Sequence, residues 1–125
     1  MILANEPTED ALNNLKEALA IENPSDLERD GTIQRFEYSY ELLWKLAQRI
    51  LRDNEVIAES PKAVFRELGR LGWIDNVETW LDFQKSRNET SHEYGKKLAK
   101  KSYSLAKIFL PVAEKLFEIL KQKSQ

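Results

Sequence analysis

The residues best suited to chemistry lie together in one segment, Arg87-Asn88-Glu89-Thr90-Ser91-His92-Glu93-Tyr94. Arg87 offers a planar, permanently charged fork that suits a phosphate. His92 is the single histidine of the chain, and with an ordinary pKa of about 6.5 it can take up or release a proton near neutrality. Together they could bind a phosphodiester and move the proton of a ribose 2′-OH, which amounts to metal-independent RNA cleavage. Spacing sets a condition on this chemistry. Five positions on an unbroken helix place two side chains about 140° apart, so convergence requires a kink or loop between them. Asn88-Glu89-Thr90-Ser91 is rich in residues that cap helices and make turns. Ser91 or Thr90 would then cap a final helix, with His92 in its first turn and Tyr94 close behind. Lys96, Lys97, Lys100 and Lys101 would form a basic ridge adjoining the site, able to hold a polynucleotide backbone.

Plainer readings exist for each of these residues. A lone histidine is usually a surface or capping residue, and Arg87 could pair with a nearby glutamate. Tyr94 could be a core residue whose hydroxyl reaches solvent. Between Lys85 and Lys107 there are seven basic residues and two acidic ones, and the usual reading of such a run is a solvated helix face.

Composition narrows the alternatives. The chain has no cysteine, which removes disulfides and thiolate metal sites, and one histidine cannot build a multi-histidine centre. No metal or cofactor is expected. A net charge of −2 argues against bulk attraction to nucleic acid and leaves the local ridge as the basic feature. The start of the chain lacks a basic segment followed by an apolar one, so no signal peptide is expected. No apolar stretch approaches the roughly 20 residues of a membrane span. A cytoplasmic protein without a membrane partner is the expectation.

The elements that must position the segment read as helices. At 125 residues, with four Gly and four Pro, the chain suits one domain over residues 1–125, with residues 1–7 flexible. Thr8 is expected to cap a first helix striped by Ala11, Leu12, Leu15, Ala18 and Leu19, which Asn23-Pro24-Ser25 would end. From about Asp30 to Arg52, Ile33, Phe36, Tyr40, Leu43, Trp44, Ala47, Ile50 and Leu51 keep helical spacing, and Gln34, Glu37, Lys45, Gln48 and Arg52 mark the opposite face. That aromatic stripe is core, or in part a subunit interface. Ser60-Pro61 starts a third helix bearing Val64, Phe65, Leu68 and Leu71, and Gly72 is placed to stop it. Asn76 can cap a fourth, with Val77, Trp80, Leu81 and Gln84. Leu98, Leu105, Ile108, Phe109, Val112, Leu116, Ile119 and Leu120 line a long last helix, which Pro111 should kink. An all-α, antiparallel up-and-down bundle of four to five helices follows.

Three ordered stretches give the chain a family likeness: Arg29 to Tyr38 continuing through Glu41-Leu42-Leu43-Trp44-Lys45, then Ser60 to Arg66, then Trp80-Leu81 through Arg87 to Tyr94. The last fits the pattern Arg-x4-His-x-Tyr without a gap. In these stretches, which span roughly residues 10 to 120, the chain resembles the HEPN superfamily, in particular its nucleotidyltransferase substrate-binding branch. The resemblance implies a dimeric helical bundle encoded beside a minimal nucleotidyltransferase and bound to it. In toxin–antitoxin members of the family, Arg and His from two protomers form a composite ribonuclease site acting on RNA such as tRNA. The nucleotidyltransferase silences it by attaching adenylate to the motif tyrosine. Carried over by position, Arg87 would bind phosphate, His92 would be the acid–base group and Tyr94 the modification site. Asn88 would orient its neighbours by hydrogen bonding, and Asp30 would be a supporting polar residue, or simply an N-cap. The branch also implies an alternative, a non-catalytic subunit that binds substrate or nucleotide for its partner enzyme.

Overall fold

The structure is a computed structural model and describes residues 7–88 and 95–124. Among these residues five helices follow one another: α1 (Pro7–Leu19), α2 (Asp26–Asp53), α3 (Pro61–Arg70), α4 (Val77–Asn88) and α5 (Gly95–Lys123). Among the described residues there is no strand, and the all-α bundle is as expected. Among the described residues, no helix is long and apolar enough to cross a membrane.

Local signals explain the boundaries. Ser25 caps α2 through a capping box: its hydroxyl accepts from the Glu28 N–H, and the Glu28 carboxylate accepts from the Ser25 N–H. The second helix therefore starts four residues before the expected Asp30, which lies inside it and is not a cap. Thr8 is likewise not a cap. α1 begins at Pro7, whose missing N–H costs nothing in a first turn, and Thr8 is fully buried within the helix. Ser60 caps α3 by accepting from the Ala63 N–H, and Asn76 accepts from the Thr79 N–H at the start of α4. Gly72 stops α3 as expected. It takes φ +77°, and the Trp73 N–H to Leu68 and Gly72 N–H to Gly69 hydrogen bonds close a Schellman motif.

Pairings fix the directions. Arg35 donates to the Asn14 carbonyl, and Ser39 donates to that of Ala11, so α1 and α2 run antiparallel. Trp80, Phe83 and Ser86 of α4 meet, respectively, Phe109 (both aromatics) and Ser102 of α5, again antiparallel. Helices α1, α2, α4 and α5 thus alternate in direction, with the short α3 between the second and third.

The core joins four helices through aromatic rings. Phe36 and Tyr40 of α2 and Phe65 of α3 pack with Trp80 and Phe83 of α4 and Phe109 of α5. Phe65 stacks on Trp80 at 4.9 Å, and the other contacts are mainly edge-to-face, the geometry favoured by ring quadrupoles. Phe36 and Tyr40 are therefore buried by their own chain, and this part of the stripe is core and not a subunit interface. Helix α5 continues through Pro111, which sits on an exposed face. Ile108, expected in its lining, is 52% exposed, whereas Ala106 and Ala113 are fully buried.

Candidate functional site

The C-terminal turns of α4 are held on three sides. Phe83 is buried among Phe36, Trp80 and Phe109. Gln84 accepts a hydrogen bond from the Tyr40 hydroxyl. Ser86, 6% exposed, faces Ser102 of α5 with the two oxygens 3.4 Å apart. Arg87 and Asn88, placed by their backbone, close the helix immediately afterwards. The end of α4 is thus fixed to both α2 and α5.

On the other side, α5 begins at Gly95. Lys97, Lys100 and Lys101 are exposed over its first two turns, so the basic ridge exists as a helical surface, and Lys96 belongs to the same turn by its backbone. His92 and Tyr94, together with the caps expected at Thr90 and Ser91, lie outside the described residues.

Asp30 comes to the same place from α2. A groove of about 300 Å³ runs where α2 meets the end of α4 and the start of α5. Asp30, Ile33 and Glu37 line it from α2, Ser86 from α4, and Gly95, Leu98, Ala99 and Ser102 from α5. The structure therefore gathers Asp30 with the immediate neighbours of Arg87 and Tyr94, although Asp30 stands 57 positions before Arg87 in the chain. Three residues of this groove escape a reading of the sequence. Glu37, which periodicity assigns to the opposite polar face, is half-buried here, and Ser86 and Ser102 are nine-tenths buried. The available signal was the seven-residue interval from Asp30 to Glu37, which returns to the same face of a helix.

The electrostatics divide the site into two sides. Carboxylates of Asp30 and Glu37 lie on the groove, and the lysines lie on the exposed surface of α5.

Known proteins share this architecture. Residues 5–122 match the family described as nucleotidyltransferase substrate binding protein like. A Haemophilus influenzae protein named probable ribonuclease HepT is 34% identical over 100 residues, covering 76% of this chain and 68% of that protein. A crystal structure of a Thermus thermophilus protein superposes with a TM-score of 0.85 at 34% identity, covering 91% of this chain and 98% of that one. A Haemophilus influenzae structure, which reveals the fold of a substrate binding domain of a nucleotidyltransferase, superposes with a TM-score of 0.74 at 27% identity, covering 95% and 98%. With a family match over nearly its whole length and the helical bundle to go with it, the chain belongs to the nucleotidyltransferase substrate binding protein like family.

Proposed function

We propose that this protein is a toxin-type, metal-independent endoribonuclease of the cytoplasm, acting on RNA such as tRNA. It works as a homodimer in which Arg87 and His92 of two protomers share one site. The observation that carries the reading is its 34% identity to a protein named probable ribonuclease HepT. The ungapped Arg87-x4-His92-x-Tyr94 pattern supports it, as do the exposed lysines that follow it on α5.

In this reading His92 takes the proton of a ribose 2′-OH, and that oxygen attacks the adjacent phosphorus. The bond from phosphorus to the 5′-oxygen breaks, and the leaving oxygen receives a proton. The products are a 2′,3′-cyclic phosphate and a 5′-hydroxyl. Arg87 holds the charge of the phosphoryl oxygens as it grows, Asn88 orients its neighbours by hydrogen bonding, and Asp30 is a supporting polar residue that does not itself meet the phosphate. Lys96, Lys97, Lys100 and Lys101 hold flanking phosphates. A cognate minimal nucleotidyltransferase binds the protein and silences it by transferring adenylate from ATP to the Tyr94 hydroxyl, which loses its proton as pyrophosphate leaves, and the bulk and charge of the adenylate then occupy the phosphate site.

A second reading is favoured by the family description and by the Haemophilus influenzae structure with its substrate-binding-domain fold. In it the chain presents substrate or nucleotide to the partner enzyme and cleaves nothing. Incubating the purified protein with total tRNA in EDTA, beside His92→Ala, separates the two. Cleavage that disappears in the variant supports the ribonuclease. Intact tRNA, with protein of unmodified mass, supports the binding subunit. A monomer across micromolar concentrations would remove the shared site.

A further inference from the structure

The outward side of α2 carries a line of residues set apart from the core stripe. Leu27, Gly31, Gln34, Tyr38 and Lys45 follow at intervals of 4, 3, 4 and 7 residues, the spacing of a seam between packed helices. Leu27 is 83% exposed and Tyr38 58%. Single exposed apolar residues are ordinary, but these two share their line with a glycine. Gly31 lies inside a 28-residue helix, where glycine lowers stability relative to alanine. Its backbone is ordinary helix, and a Cβ placed on it would meet nothing within 4 Å. Neither a turn nor a close contact within the described residues calls for the missing side chain, so the approach that it permits comes from outside.

We propose that this line is the face on which a second copy of the chain packs, with its α2 antiparallel to the first and Tyr38 at the two-fold axis. The inference rests on the shared-site reading above and adds the face and register of the pair. Charge sets the direction. Asp30 stands near the start of the line, Lys45 and Arg52 near its end, and all three are exposed. Antiparallel helices bring these opposite signs together, whereas parallel ones would set like against like. Register follows from the glycine. Positions 31 and 45 each lie seven residues from Tyr38, so about the axis Gly31 faces the partner's Lys45. The aliphatic stem of that lysine lies over the bare glycine, and its ammonium reaches Asp30 alongside. Lys45 is only loosely tied to its own Glu41, at 3.7 Å with its side chain 62% exposed, and can turn to this contact.

The same packing completes the site. One flank of α2 is covered by α1 through Arg35 and Ser39. The other flank, at Asp30 and Ile33, borders the junction of α4 and α5. A two-fold axis perpendicular to antiparallel helices keeps like flanks on one side of the pair. Both junctions, each with its Arg87, therefore open on the same side, as a site shared by two protomers requires. A parallel pair would send them to opposite sides.

Sedimentation of the full chain tests the face, and cleavage of tRNA in EDTA runs beside it. Tyr38→Asp should weaken self-association roughly a hundredfold, with circular dichroism unchanged and a melting temperature within about 2 °C for so exposed a position. Asp30→Lys and Lys45→Asp should each weaken it roughly tenfold. An equal mixture of these two variants should associate as tightly as the unaltered chain, because in the mixed pair every lysine meets an aspartate. A monomeric unaltered chain at micromolar concentrations would overturn both the face and the shared site. A dimer that survives Tyr38→Asp, or a mixture that associates no better than its components, would overturn the face and leave the homodimer standing. Association lost in Tyr38→Asp, with no tRNA cut by the unaltered dimer, would support the face and overturn the ribonuclease.

Discussion

The Tyr40 hydroxyl donates to the side-chain oxygen of Gln84, so a fully buried residue of α2 grips α4 three positions before Arg87. Phe65 stacks on the same tyrosine ring at 5.8 Å, which leaves the ring little freedom to follow a displaced α4. Removing the hydroxyl should therefore loosen the support of the site while preserving the core. Tyr40→Phe is expected to cost about 1 kcal/mol and to lower the melting temperature by about 4 °C. RNA cleavage should fall more than stability at 25 °C would explain, as measured by comparing melting curves with tRNA cleavage rates.

His92→Ala and Arg87→Ala should each abolish growth inhibition by the expressed protein while leaving its melting temperature within about 2 °C of the unaltered chain. Arg87→Lys should restore little of the activity, because an ammonium cannot reproduce the planar, two-pronged grip of a guanidinium on phosphate. Full toxicity in the lysine variant would show that Arg87 supplies charge alone.

Lys97 and Lys100 are exposed on the first turns of α5. Replacing both by glutamine should weaken binding of single-stranded RNA similarly for every sequence. The slope of log affinity against log salt should become shallower by roughly 0.7 for each phosphate that is no longer neutralised. A slope unchanged by the double replacement would remove these lysines from the RNA path.

Away from the site, two positions test the packing. A Cβ on Gly69 would stand 2.3 Å from Cγ2 of Val77, a stiff β-branched side chain at the start of α4. Gly69→Ala should destabilise by about 1–3 kcal/mol. Val77→Ala removes the clashing methyl, so the double variant should be more stable than the sum of the single effects predicts. Glu55 offers the opposite case. It takes φ +65° in the Schellman motif that ends α2, where an L side chain is strained. Glu55→Gly should raise stability by about 0.5–1 kcal/mol, read as a rise of a few degrees in melting temperature.

The parts legible in the sequence are those where side-chain type and spacing agree. Ser60-Pro61, Asn76 and Gly72 each carry their own local reason for a helix boundary, and each acts as read. The start of α2 was hidden because Asp26-Leu27-Glu28-Arg29 adds no apolar stripe, Leu27 being 83% exposed. Its capping box sits behind Pro24, which reads as an ending. In α5, spacing counts Ile108 with Phe109 because adjacent residues lie only about 100° apart, and packing decides which one is buried. The same stripe is completed by Ala106 and Ala113, small residues whose burial a search for large apolar side chains overlooks. For the candidate site, family likeness and not periodicity singles out Arg87, and the groove behind it depends on contacts among three helices that no single stretch encodes.

The first turn of α5 contains no acidic residue, and lysines stand at positions 96, 97, 100 and 101. The partial positive charge of a helix start opposes cations there, so this end of α5 carries an electrostatic tension that the groove carboxylates of Asp30 and Glu37 lessen. A polyanion relieves that tension, which links occupancy to stability: whatever binds here also tightens the helix that receives it. The frame is most taut when loaded and loosest when empty, and dilute salt, which leaves the repulsion unscreened, widens the difference.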